Sequence, residues 1–231
     1  MKFLFDCDDT LYDLERPFYQ AVQDLDLPLH QEQIPSFYTS YRKHGDAIFD
    51  QVQSKKMSVD ESGIYRILNA CQDFRIPLER CGALRFQERY RFYQNHISLS
   101  KPLQEWFASS RSEKAILTNG EKNHQMEKLQ ALKIPSYIPD DHIFISGVIG
   151  YRKPDPRAFD AVLVKCKGPS LDWVYIGDRY DHDIVPAKQK GMRTIHFNRH
   201  HCLEGPLADH IVYQDEELVA LLLKMERGES V

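Results

Sequence analysis

Apolar and polar positions follow two different rhythms along this chain. Lys2-Phe3-Leu4-Phe5 is a short apolar run that ends abruptly at Asp6, and residues 2–6 predict a buried strand. From about residue 14 to 98 the spacing becomes helical. Phe18, Ala21, Val22 and Leu25 recur at three- and four-residue intervals, as do Ile67, Leu68 and Cys71 after Tyr65. Ser58 followed three residues later by Glu61 has the form of a capping box and predicts a helix start. After Lys101-Pro102 short apolar runs return, at 114–118, 142–145, 173–176 and 194–197. Helical patterns near 121–132, 155–166 and 182–190 separate them, and a last one falls near 215–226.

Strand–helix alternation of this kind predicts a Rossmann-like α/β fold, a parallel sheet covered by helices on both faces. The helical stretch then reads as an insertion. The expected division is a catalytic core of residues 1–13 and 100–231 with an inserted α-helical domain at 14–99. In such a sheet a ligand binds beyond the carboxyl ends of the strands.

Four polar stretches fall at or just after those strand ends: Asp6-Cys7-Asp8-Asp9-Thr10, Thr118-Asn119-Gly120, Lys153-Pro154-Asp155-Pro156 and Gly177-Asp178-Arg179-Tyr180-Asp181-His182-Asp183. Asp6 and Asp8, two residues apart at a strand end, can point the same way. Two converging carboxylates repel unless a cation neutralises them or one takes a proton. With Mg²⁺ present, Asp6 would stay ionised as a nucleophile and Asp8 would serve as the proton donor and acceptor. A solvated acidic turn fits Asp6–Thr10 equally well when it is taken alone. Thr118, Asn119 and Gly120 open a helical segment, where a hydroxyl and outward N–H groups suit an oxyanion; a simple capped turn is the alternative. Lys153, held between residues of a proline-stiffened helix entry, would stabilise both the aspartate and a transferring phosphoryl group. Asp178 reads as a direct Mg²⁺ ligand with Asp183 in support, while Asp181 and His182 read as surface residues.

Composition narrows the picture mainly by exclusion. A formal net charge of −4 over 231 residues offers no basic field for a nucleic-acid backbone. Five cysteines without CxxC spacing argue against a disulfide framework or a zinc site and suit a reducing compartment. No secretory or membrane-spanning pattern is present, so the expected location is cytoplasmic.

In motif order and spacing the chain resembles the haloacid dehalogenase-like (HAD) hydrolase superfamily, over residues 1–12 and about 101–200. The resemblance implies that Asp6 forms an aspartyl-phosphate and that Asp8 is the general acid/base. It implies Thr118 and Lys153 as phosphoryl-binding groups, with Thr10, Asn119 and Gly120 on the substrate. It places Mg²⁺ among Asp6, the backbone carbonyl of Asp8, Asp178 and Asp183. The helical insertion corresponds to the family's α-helical cap. Gln125, Leu129 and the Gly150–Pro154 stretch are similar to the pyrimidine 5′-nucleotidases and the N-acylneuraminate-9-phosphatase-like proteins. Arg179 departs from the small hydroxyl residue common after the fourth-motif aspartate, and Glu121 from a common apolar one. The expected function is Mg²⁺-dependent hydrolysis of a small phosphorylated metabolite, such as a nucleoside 5′-monophosphate, by a monomer or homodimer. A sugar-phosphate phosphatase, a phosphomutase and a non-enzymatic phosphometabolite-binding protein are the alternatives. Cap residues such as Tyr38, Tyr41, Arg42, Lys43 and Phe49 either line a substrate cavity or form cap core and surface.

Overall fold

The computed structural model describes residues 1–229, apart from the side chain of Gln53. The last two positions of the expected core, 230 and 231, lie outside the described residues. In chain order the elements are β1 (Lys2–Phe5), α1 (Glu15–Gln23), α2 (Ile34–Gln53), α3 (Val59–Asp73), α4 (Arg80–Gln94), α5 (Lys101–Ser109), β2 (Glu113–Thr118), α6 (Lys122–Ala131), β3 (Ile143–Ile145), α7 (Ser146–Ile149), α8 (Pro156–Cys166), β4 (Trp173–Gly177), α9 (Val185–Gln189), β5 (Arg193–Phe197), β6 (His210–Val212) and α10 (Asp215–Glu226). The chain forms two compact units, Met1–Asp13 with Ser98–Val231, and Leu14–Ile97.

The first unit is built on a six-stranded sheet in the order β3-β2-β1-β4-β5-β6, every pairing parallel. Leu4 at the centre pairs with Ala115 on one side and Tyr175 on the other. Helices on both faces explain why β1, β2 and β4 are almost wholly buried and read as continuous apolar runs. On one face Ala158, Phe159 and Val162 of α8 pack with Leu4, Ala115, Leu117 and Tyr175. Phe3, Phe5, Trp106 and Phe107 form an aromatic cluster that seats α5. The strand order reverses direction at β1, so the crevice beyond the ends of β1 and β4 is where a ligand site belongs.

In the second unit Phe18 is fully buried among Phe37, Tyr38, Tyr41, Phe86 and Tyr90, with ring centroids 4.8–6.2 Å away. Tyr38 and Tyr41 are therefore core residues of this unit, Lys43 is exposed, and Arg42 and Phe49 are half-buried. Ser58 and Glu61 make the expected reciprocal capping box at the start of α3.

Three elements were not foreseen, one of them α7, a single four-residue turn directly after β3. Helix α5 begins at Lys101-Pro102, where proline at the first turn is tolerated, and its nine residues are too few for a clear period. Strand β6 is three residues long, on the sheet edge, and only partly buried, so it carries no apolar run. The expected helix near 182–190 begins instead as a wide π-type turn over Tyr180–Ile184 before α9.

Candidate active site

Strand β1 delivers Asp6 to the crevice, where its backbone N–H donates to the Ile176 carbonyl of β4 at 2.9 Å. Its carboxylate accepts from the Lys153 ammonium at 2.6 Å. The same Nζ donates to Asp183 Oδ1 at 2.6 Å and to the Tyr175 hydroxyl at 2.9 Å. Tyr175 OH in turn donates to Asp183 Oδ1 at 2.7 Å. Asp183 is positioned by its own loop, since the Arg179 backbone N–H donates to Oδ2 at 3.0 Å. Gly177 makes this possible: a Cβ there would lie 2.7 Å from the Asp183 side chain.

The electrostatics follow from burial and from counting charges. Burial pushes the Asp6 carboxyl up to about 7; Lys153 opposes the shift, and Asp183 and Asp8 reinforce it. Burial would raise Asp183 too, but the Lys153 ammonium and the bonds it receives hold it below the ordinary range. Burial would lower Lys153, yet Asp183 and Asp6 reverse that and keep it firmly protonated. Asp6, Asp178 and Asp183 each offer a carboxylate oxygen within 4.8 Å of the others. Once all three are ionised, three carboxylates against one ammonium leave a double negative charge, which an all-oxygen site matches with a hard divalent cation. The residues present therefore fit Mg²⁺.

Asp8 has different company. Its two oxygens lie 2.7 and 2.8 Å from Lys128 Nζ. Tyr12 OH donates to it at 2.5 Å and Gln125 Nε2 at 3.1 Å. Burial would raise the Asp8 carboxyl, but the Lys128 ammonium and the Tyr12 and Gln125 donors hold it well below the usual carboxylate range. Lys128 is itself buried, with a side chain 4% exposed. Gln125 also donates to the Asn119 carbonyl and so fastens α6 to the loop that precedes it.

The second and third stretches meet through Asn119. Its side-chain N–H donates to the Lys153 carbonyl and its oxygen accepts from the Lys153 N–H, both at 2.9 Å. Asn119 thus clamps the Lys153 loop. The Gly120 N–H donates to Ser146 Oγ at 2.9 Å. Thr118 and Thr10 are buried, and neither hydroxyl has a hydrogen-bond partner among the described residues. Two orphaned buried donors close to acidic residues suit an anionic group that would accept from them.

Of the expected residues, Asp6, Lys153, Asp178 and Asp183 come together around one point, and the Asp8 carboxylate is held by side chains of α6. Arg179 pairs with Asp181 at 3.2 Å in a partly exposed bridge, while Cys7 is fully buried. Sequence reasoning missed Tyr175 and the pairing of Lys128 with Asp8. Gln125 and Lys128 lie three apart on α6, which puts them on one face. A lysine on the buried face of a helix was the available signal.

The parallel six-stranded sheet carries an acidic cluster and a buried lysine at its carboxyl end, the place where a Rossmann-like α/β enzyme holds its ligand. The chain belongs to the haloacid dehalogenase-like hydrolase family, whose model matches residues 3–191. A glyceraldehyde 3-phosphate phosphatase from Pyrococcus furiosus is 31% identical over 114 residues, covering 48% of this chain and 47% of that protein. A phosphoserine phosphatase from Thermus thermophilus is 32% identical over 85 residues, 37% of this chain and 33% of its own. The chain thus spans about half or less of the length of these relatives. Among solved structures, the HAD-hydrolase YfnB from Bacillus subtilis bound to magnesium superposes with a TM-score of 0.70 over 96% of this chain and 97% of its own, at 23% identity. That likeness concerns the fold. Among the described residues no helix is long and apolar enough to cross a membrane.

Proposed function

We propose that this protein is a Mg²⁺-dependent phosphatase that hydrolyses a small phosphorylated metabolite through an aspartyl-phosphate on Asp6. The observation that carries the reading is the Lys153–Asp6–Asp183 arrangement, a buried nucleophilic carboxylate held by a cation beside two further carboxylates. Asp6, Asp178, Asp183 and the Asp8 carbonyl would hold the metal, which when bound would neutralise charge on the carboxylates and the phosphoryl oxygens.

In the first step an Asp6 oxygen bonds to phosphorus as the phosphorus–ester oxygen bond breaks, and Asp8 gives its proton to the departing oxygen. In the second, Asp8 takes a proton from water, the water oxygen bonds to phosphorus, and Asp6 is released with inorganic phosphate. Lys153 stays beside Asp6 throughout and stabilises negative charge on the transferring group. The Thr118 and Thr10 hydroxyls donate to the phosphoryl oxygens. Lys128 keeps Asp8 ionised, which suits the second step; for the first, the Asp8 carboxyl must turn from Lys128 and take up a proton. Asn119 contributes by fixing Lys153. The helical unit Leu14–Ile97 acts as a cap that selects the organic portion of the substrate.

Phosphatase relatives named for three-carbon phosphates support a small substrate, and the branch features at Gln125 and Gly150–Pro154 support nucleoside 5′-monophosphates. A panel of nucleoside monophosphates, sugar phosphates and three-carbon phosphates, assayed for phosphate release with Mg²⁺ and with chelator, tests the proposal. Selective, chelator-sensitive release is expected. Metal-independent halide release from 2-haloacids, with none from phosphate esters, would replace it with a dehalogenase.

A further inference from the structure

Glu113, His142 and Cys166 stand apart from the acidic crevice, at the opposite end of the sheet. Glu113 opens β2, His142 immediately precedes β3, and Cys166 is the last residue of α8. Thr118, at the crevice end of β2, is five residue rises away from Glu113, about 17 Å at ~3.3 Å per residue. Against the expectation from cysteine spacing, we propose that these three side chains, with a single cysteine among them, form a second metal site, selective for a zinc-class transition-metal ion and distinct from the Mg²⁺ site.

Geometry supports it first. Each residue offers one ligand atom, and the three lie within 4.8 Å of one another. A tightening of up to about 1.5 Å from that limit gives the separations expected between ligands of a tetrahedral ion with metal–ligand distances of about 2.0–2.3 Å. The elements are already tied together, because β2 and β3 are paired and α8 packs on β2 through Ala115 and Leu117.

The ligands are also oriented. His142 Nδ1 lies 3.3 Å from the Lys114 carbonyl oxygen. A carbonyl can only accept, so Nδ1 carries the hydrogen and Nε2 presents its lone pair; this is the usual backing for a metal-bound imidazole. Lys2 Nζ pairs with Glu113 Oε2 at 2.8 Å and donates to the carbonyls of Cys166 and Lys167 at 3.1 and 2.7 Å. That one ammonium fixes the carboxylate and the end of α8 together, while the carboxylate keeps its second oxygen.

Donor chemistry decides the ion. A thiolate with an imidazole and one carboxylate favours Zn²⁺ over the hard ions, whereas Asp6, Asp178 and Asp183 offer oxygen alone. Burial holds the Cys166 thiol up at about 11, with Glu113 adding to the shift. Binding therefore breaks the S–H bond, forms the sulfur–metal bond and releases the proton to solvent. Three protein ligands leave a fourth position for water.

Cobalt(II) titration of the chelator-treated full chain tests this. One thiolate-to-cobalt charge-transfer band, saturating at one ion per chain, is expected. It should vanish in Cys166→Ser, need about tenfold or more Co²⁺ in His142→Asn, and persist in Cys81→Ser and Cys202→Ser. Zn²⁺ should displace it and excess Mg²⁺ should not, and with Mg²⁺ in excess to fill the acidic crevice Zn²⁺ should raise the unfolding temperature of the wild type but not of Cys166→Ser. Cobalt in the acidic crevice gives no thiolate band, so failure here is distinguishable from failure of the phosphatase reading. Absence of the band in the wild type would overturn the proposal. So would its survival in Cys166→Ser, its loss in Cys202→Ser, or its displacement by Mg²⁺. If Cys166→Ser does not fold, an unaltered titration in His142→Asn is equally fatal.

Discussion

Replacing Lys128 by Met should destabilise the protein far more than removal of a surface lysine. The ammonium holds both oxygens of Asp8 from a side chain only 4% exposed, and the Asp8 side chain is 23% exposed. Removing one partner of a buried pair leaves the other charge uncompensated, at about 3–5 kcal/mol. The partial exposure of Asp8, with the Tyr12 and Gln125 donors that remain, reduces this to about 2–3 kcal/mol. Lys128→Met keeps the volume and the helix propensity, so the loss is electrostatic. Adding Asp8→Asn removes the stranded charge, and the double variant should regain most of the loss, with a coupling of about 2 kcal/mol. Urea unfolding of the wild type, both single variants and the double variant measures it. A Lys128→Met variant within about 0.5 kcal/mol of wild type, or strict additivity in the double variant, would refute the claim that the pair is a buried, mutually dependent unit.

Two further perturbations have definite outcomes. In the metal-free protein Asp6 binds its proton up to about pH 7, against an ordinary value of 3.8, so the native state holds more protons than the unfolded one between those limits. Stability must therefore fall as pH rises from about 4 to 7, and that component of the slope should be missing in Asp6→Asn. Asp183, held low beside Lys153, contributes below that window and with the opposite sign. Urea midpoints in chelator across this range check it, and parallel profiles for the two proteins would contradict it. Phe18→Ala empties the centre of the helical unit and should cost about 3–5 kcal/mol in the same assay; a loss below about 1 kcal/mol would mean that the ring cluster collapses around the gap.

The sheet was legible because its strands are short apolar runs that stop at polar residues, as in Phe5–Asp6 and Gly177–Asp178. The parallel order follows from the helices between them. Edge strand β6 and helix α5 were not legible, since three or nine residues with mixed burial carry little period. Asp6, Lys153, Asp178 and Asp183 could be grouped from spacing and motif order alone. What each side chain bonds to could not, because partners far apart in sequence are set by tertiary packing. Lys128 meets Asp8 across 120 positions, and Tyr175 reaches Lys153 from inside a strand that reads simply as apolar. Asn119 shows the same limit: its place in a tripeptide suited to an oxyanion is visible, but its clamp on the Lys153 backbone is not.

The central claim is a covalent phosphoryl group on Asp6, and acid-quenched turnover followed by peptide mass spectrometry tests it most directly. With a substrate from the panel and Mg²⁺, the peptide carrying Asp6 should gain a hydroxylamine-labile phosphoryl group that Asp6→Asn does not form. Steady turnover with that peptide unmodified, or undiminished turnover in Asp6→Asn, would contradict the account.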